Sequence, residues 1–322
     1  MGLLNQARIK TEKIIDILYE PLKGQLEKKP KTYRNLARKN YLQVAKKRRP
    51  SRKERRKAIK KQLQYIKRNL AHIDQLIQAG DSLEVLSSRQ YKSLLVVAEV
   101  YRQQQWMYEN KTQRIEDRIV SLSQPHIRPI VRGKAGTPVE FGAKLSVSLR
   151  NGYVFLDRID WYNFNESGDF KAQVEAFKEA TGAYPESVHV DRIYRTRSNR
   201  AFCKEKGIRI SGPPLGRPPA FVSQQKKKQA KEDERVRNAI EGKFGVSKRR
   251  FSLNRVMAKL ANTSQTAIAI TFLVINLSTL LRQVFCLFLC SQLSLYLFRT
   301  QLLTQIIIGE IINNKNSSFI KA

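Results

Sequence analysis

The chain has 322 residues, with 61 Lys and Arg against 27 Asp and Glu, a net charge of +34 and a pI near 10.3. Such a surface favours polyanionic partners, and the length allows one large or two ordinary domains. Three cysteines (Cys203, Cys286, Cys290) without paired ligand spacing argue against a disulfide framework or a zinc finger, so a reduced, cytoplasmic setting is expected. Three scattered histidines give little support to a Ser-His-Asp or Cys-His site.

Residues 3–22 carry Leu4, Ala7, Ile14, Ile15 and Leu18 at helical spacing until Pro21 stops the run. Residues 46–60 hold ten cations and one acid. Lys46, Lys47, Arg48, Arg49, Arg52, Lys53, Arg55 and Arg56 are therefore candidate phosphate contacts, which supply affinity without reading sequence. A helical pattern continues through Ile66, Leu70, Ile73 and Ile77 to Gly80, and another helix is predicted over residues 82–107.

From Pro138 the pattern turns to β. Residues 139–149 and 153–159 predict two antiparallel strands around the hairpin signal Asn151-Gly152. A helix is predicted over 169–181, with Phe170, Val174 and Phe177 on one face and Gly182 as its stop. A strand over 187–190 ends in Asp191, a helix over 198–206 ends at Gly207, and a strand covers 208–210. Residues 212–216 resemble a phosphate cradle only superficially, because two prolines remove backbone donors and no Gly-Lys-Ser/Thr follows. Residues 212–232 read as a mobile basic loop before the next helix.

Two stretches carry chemistry. Asp191 stands at the carboxyl end of a strand, where α/β sheets gather their sites, and Arg192, Arg195, Arg197 and Arg200 follow it. Further on, Arg237, Glu241 and Lys248 recur as R-x3-E-x6-K. On a helix, Glu241 lies roughly 40° and Lys248 roughly 20° from Arg237, so the three share one face. A carboxylate there can hold a metal while the cations engage phosphate. Solvated ion pairs are the competing reading of such a triplet. Gly242 and Gly245 imply a close approach by something large, such as a DNA backbone, or a bend or end of the helix. Lys243, Arg249 and Arg250 join the candidate DNA contacts.

Residues 266–281 are an apolar run that Arg282 ends. Residues 284–298 are a second apolar run, short of the ~20 residues needed to span a bilayer and separated from the first by Arg282-Gln283. No membrane partnership is expected.

The runs at 128–148 (RPIVRGKAGTPVEFGAKLSVS), 155–159 (FLDRI), 184–188 (YPESV), 191–218 (DRIYRTRSNRAFCKEKGIRISGPPLGRP) and 235–260 (RVRNAIEGKFGVSKRRFSLNRVMAKL) resemble the catalytic region of bacterial insertion-sequence transposases of the DDE type. The resemblance covers roughly residues 3–282. It implies an α/β fold, an RNase H-like mixed sheet flanked by helices, in which Asp, Asp and Glu hold two Mg²⁺ or Mn²⁺ ions for cutting and strand transfer of DNA. Asp191 matches the second Asp, Glu241 the Glu, and Arg237 and Lys248 the Arg and Lys of a Y-x2-R-x3-E-x6-K signature whose tyrosine position is Glu234 here.

Members of the family carry the first Asp on a strand upstream of residue 3, so the expectation is an N-terminally truncated transposase lacking its first strand. Of the acids on predicted strands (Glu140, Asp157, Asp160), Asp157 falls in a run matching a non-catalytic part of the family and reads as structural. Apolar surface near Val139, Phe141 and Val154 is expected to be left exposed.

The expected organisation is a helical, strongly basic insertion over residues 1–125, an RNase H-like catalytic region over 126–282 and an apolar tail of unknown role over 283–322. Expected partners are double-stranded DNA at transposon ends, a separately encoded N-terminal fragment and further copies of the chain, in a cytoplasmic, nucleoid-associated setting. The alternative function is a catalytically inactive DNA-binding remnant.

Overall fold

The computed structural model describes residues 1–80, 83–131, 139–213, 215–216 and 222–318, without side chains at 302 and 306–318. They fall into two units: Met1–Leu145 with Ile159–Phe164 and Met257–Gln265, and Ser146–Arg158 with Asn165–Val256 and the chain from Thr266.

Helical periodicity builds most of the first unit. Helix α1 (Gly2–Tyr19) buries Leu4, Ala7, Ile14, Ile15 and Leu18, and Pro21 sits in the short turn that follows. Helix α2 (Arg34–Ala45), not predicted, buries only Ala37. Helix α3 (Arg52–Gly80) begins just after Pro50, whose ring disfavours helix in the residue before it. Helix α4 (Ser88–Glu109) starts later than the sequence suggests, at a capping box between Ser87 and Gln90.

Helices α1, α3 and α4 close around two apolar clusters. Leu4, Ala7, Leu63, Ile66, Val97 and Val100 belong to one, and Ile14, Ile15, Leu18, Ile73, Leu76 and Leu94 to the other. Polar side chains are buried beside them, among them Thr11, Gln62, Asn69 and Gln103. The Asn69 amide donates to Thr11 Oγ1 at 3.0 Å, and Arg8 pairs with Glu12 on the same helix.

Strand β1 (Arg128–Val131), also not predicted, pairs antiparallel with β2 (Val139–Gly142), Ile130 opposite Glu140. The strand expected over 139–149 is divided, because Gly142 adopts φ 147° and separates β2 from β3 (Lys144–Arg150). β3 pairs with β4 (Tyr153–Asp160) across Asn151 and Gly152, both at positive φ as a tight hairpin turn requires.

In the second unit, α5 (Phe170–Thr181) ends on left-handed Gly182. Then β5 (Ser187–His189), α6 (Arg197–Glu205) and β6 (Arg209–Ser211) form a parallel crossover with His189 opposite Ser211. Its apolar core is small: Phe170, Val174, Cys203 and Ile208.

The α/β class stands, but the described strands form three separate two-stranded sheets where one mixed sheet was expected. Strands of three or four residues limit the β1–β2 and β5–β6 ladders, and the break at Gly142 separates β2 from the longer β3–β4 hairpin.

Of the basic loop expected over 212–232, residues 224–232 are helix, and residues 214 and 217–221 lie outside the described residues. Helix α7 runs from Gln224 to Arg250, started by Ser223, whose hydroxyl accepts from the Lys226 amide. It passes through Gly242 and Gly245 without ending.

Helix α8 (Ala261–Ser318) is continuous through Arg282. It buries Ile268, Phe272 and Ile275, while the Asn276 amide accepts from the Val154 N–H and donates to the Val154 carbonyl, both at 2.8 Å. Val154, expected to be exposed, is therefore buried; Phe141 is exposed. Among the described side chains, the apolar ones of α8 from Leu277 to Leu303 are exposed, and Ala261–Gln305 is long and apolar enough to cross a membrane by length and composition.

Candidate active site

The chain leaves β5 through Val190, whose amide donates to the Ser211 carbonyl at 2.9 Å, and the next residue is Asp191. Asp191 opens the turn Arg192–Tyr194 without capping it, so its carboxylate points away from its own backbone and is 60% exposed. Arg237 Nη1 on α7 donates to Asp191 Oδ1 at 2.8 Å. The second Arg237 nitrogen stands 3.5 Å from Glu234, the residue at the signature's tyrosine position. Glu241 lies one turn beyond Arg237 and Lys248 two turns further, both exposed on α7.

The loop after β6 is pressed against this strand end. A Cβ on Gly212 would lie 2.3 Å from the Val190 carbonyl oxygen, so only glycine fits there. Arg195 fastens the same loop by donating to the carbonyls of Gly212 (3.0 Å) and Pro213 (2.6 Å). It is thus turned inward, whereas Arg192, Arg197 and Arg200 are exposed.

A buried carboxylate that sequence reasoning missed lies one turn before Arg237. Asp233 is 8% exposed and accepts from both terminal nitrogens of Arg209 (2.8 and 3.0 Å), from Ser211 Oγ (2.7 Å) and from Gln229 Nε2 (3.0 Å). His189 Nδ1 stands 3.4 Å from it. The Arg209 guanidinium first, then Ser211 and Gln229, hold the Asp233 carboxyl well below the usual carboxylate range against the opposing cost of burial. Burial lowers the His189 pKa despite the neighbouring Asp233.

Other candidates are placed as follows. Asp157 accepts from Ser148 (3.2 Å) and Gln173 (2.7 Å), and burial raises its pKa, so its carboxylate is occupied in holding β3, β4 and α5. Asp160 accepts from the Tyr162 amide. Lys243 is half-buried and donates to Thr279 on α8 at 2.8 Å; Arg249 and Arg250 are exposed. Nothing lies within 4 Å of a Cβ built on Gly242. In the first unit Lys46, Arg48, Arg49, Arg52 and Lys53 are exposed, Lys47 pairs with Glu54, Arg55 donates to the Pro50 carbonyl, and Arg56 stacks on Tyr108 while donating to its carbonyl.

A centre of two divalent ions needs several carboxylates. Among the described residues no three His, Cys, Asp or Glu side chains gather into a ligand set. Carboxylate oxygens are donors that hard cations take; here Arg237 already balances the charge of Asp191.

No curated protein and no solved structure matches the chain. Residues 188–278, which run from β5 through α6, β6 and α7 into α8, match the family model described as a transposase DDE domain, a family that uses divalent metal ions and acts on DNA. Over those residues the chain is similar to a transposase DDE domain, which supports a DDE-type transposase.

Proposed function

We propose that the chain takes part in metal-dependent cleavage and strand transfer of insertion-sequence ends in double-stranded DNA in the cytoplasm, on a site of RNase H-like ancestry. The observation that carries this reading is the contact of Arg237 with Asp191 inside the matched segment, with Glu241 one turn further along α7.

Asp191 and Glu241 would hold one Mg²⁺ or Mn²⁺. When bound, such an ion polarises a phosphoryl oxygen and lowers the pKa of coordinated water. Arg237 orients Asp191, and Lys248 offers a point charge to a phosphate oxygen. Arg192, Arg197, Arg200, Arg249 and Arg250, with the cations of residues 46–56, neutralise the DNA backbone. Two acids leave a second ion without its bridging carboxylate, so a third acid comes from another segment or chain, such as a separately encoded fragment or a second copy.

Cleavage of transposon-end DNA in Mg²⁺ tests this. The 322-residue chain alone should be inactive, a co-expressed segment carrying a strand with an added Asp should give cleavage, and Asp191→Asn or Glu241→Gln should abolish it. Cleavage by the chain alone, stopped by Asp157→Asn or Asp160→Asn, would instead make a strand acid of this chain the third ligand. Absence of cleavage with every added segment, alongside retained DNA binding, would favour the inactive DNA-binding reading. Binding should weaken steeply with salt, and neutralising Lys46, Lys47, Arg48 and Arg49 should flatten the slope of log affinity against log salt by up to about 4; an unchanged slope moves the contact to the arginines after Asp191.

A further inference from the structure

We propose that Asp233 is the positioning residue of this site: by drawing β5, β6 and α7 onto one buried carboxylate, it sets the register in which Glu241 is presented to Asp191. The inference rests on the reading of Asp191 and Glu241 as metal ligands.

Asp233 takes hydrogen bonds from two residues of β6, Arg209 and Ser211, and one from its own helix, Gln229, while His189 of β5 stands against it. Arg209 and Ser211 are two apart on a strand and so share a face. That face bears two donors, and Asp233 is the acceptor that meets both. Along the chain the hub is close to both ligands. Asp191 is two residues after His189, and Glu241 is eight residues after Asp233, about 12 Å along the helix.

One turn after Asp233 comes Arg237, which reaches Asp191. Helix α7 is therefore tied to the crossover at two successive turns, first through the buried Asp233 and then through the partly exposed Arg237. The second tie has one bond to a largely exposed carboxylate, whereas the first has three bonds donated from β6 to a buried one. A helix held by Arg237 alone can slide or rotate about that single contact. The hub removes this freedom, and the next turn after Arg237 presents Glu241.

The hub has no role as a ligand in this proposal. Its oxygens are taken by Arg209, Ser211 and Gln229, and a metal there would have to displace a bidentate guanidinium. Its contribution is to lower the reorganisation needed when the exposed pair closes on a cation.

Mn²⁺ titration of the whole chain, with its histidine rings isotopically labelled for NMR, separates this inference from the site reading beneath it. The chain has three histidines, and only His189 is near Asp191 in sequence. Mn²⁺ should broaden the His189 ring signals at lower concentration than those of His72 or His126, and Asp191→Asn should remove that selectivity. Selective broadening that survives Asp191→Asn, or none at all in the parent, would overturn the site reading and the positioning role with it.

With the site reading intact, Asp233→Asn should raise the Mn²⁺ midpoint at His189 at least tenfold. Ser211→Ala, which removes one donor without changing the charge or any residue of α7, should raise it two- to threefold, and it serves in place of Asp233→Asn if that variant does not fold. Folding is checked by the far-ultraviolet circular dichroism of each variant. An unchanged midpoint in a folded Asp233→Asn or Ser211→Ala chain would overturn the positioning role while leaving Asp191 and Glu241 as ligands.

Discussion

The first unit packs its helices around two large apolar clusters, while the crossover of the second adds the hydrogen bonds of a few carboxylates and amides to a smaller one. Helices α1, α3 and α4 bury two continuous clusters of Leu, Ile and Val, whereas among the described residues the α5, α6, β5 and β6 region has the smaller cluster of Phe170, Val174, Cys203 and Ile208, and the second unit also rests on the hydrogen bonds of Asp233, Asp157 and Asn276. Apolar contact is non-directional and tolerates small shifts. Hydrogen bonds to a buried carboxylate fix direction and register, and they fail abruptly when a partner is removed. The unit that carries Asp191 and Glu241 has the kind of cohesion that specifies geometry at the expense of robustness.

The largest expected effect breaks the apolar side of this contrast. Ile66 is fully buried among Leu4, Ala7, Val97 and Val100. Ile66→Ala should cost about 3 kcal/mol. Both tryptophans, Trp106 and Trp161, belong to the first unit, so a urea transition followed by their fluorescence reports on it. That midpoint should fall clearly, while protection of the buried thiol of Cys203 in the second unit should change less. Equal losses by both probes would remove the distinction between the units.

Acid should reach the other side first. The folded pKa of Asp233 is depressed, so its contribution is fully present above the ordinary carboxylate value of about 4 and is lost as pH falls below it. In a Cys286→Ser, Cys290→Ser background, Cys203 should become reactive towards a dithiodipyridine as pH falls through that range, before tryptophan fluorescence changes. At pH 7, Asp233→Asn should cost the second unit about 2 kcal/mol, a figure moderated because Arg209 is half-exposed. The variant should also lose much of the acid sensitivity; an unaltered acid response would assign it to other carboxylates.

The same contrast explains what was legible in the sequence. A repeat of 3.6 residues marks α1 and α3 because their buried faces are continuous, and Asn151-Gly152 and Gly182 mark backbone conformations that few other residues adopt. Helix α2 escaped because it buries a single alanine, and β1 because it has only four residues. The single mixed sheet was inferred from resemblance, and the short ladders divide it. Asp191 could be placed at a strand end and Arg237 on the face of Glu241, yet nothing in the spacing specified that Arg237 would reach Asp191. Asp233 sits in a run of charges that reads as solvated surface. Its only sequence signal was Arg209 and Ser211 on one face of a strand, two donors that need an acceptor.

The smallest expected effect concerns the first turns of α7, which a charge-rich composition made look like loop. Gln, Lys, Ala and Glu are good helix formers, but they carry no apolar face, and most side chains of residues 224–232 are exposed. Two features distinguish this segment from a solvated coil. At its start Ser223 accepts from the Lys226 amide, and further along Gln229 and Asp233 join the buried hub. If the cap is what propagates the helix backwards from the hub, Ser223→Ala should cost about 1 kcal/mol locally and raise amide exchange across residues 224–228. Exchange at Arg237 and beyond should stay unchanged, since those residues are held from the Asp233 side. Faster exchange along the whole helix would place its anchor at the cap, and then Asp233 would contribute less to the register of Glu241 than its four bonds suggest.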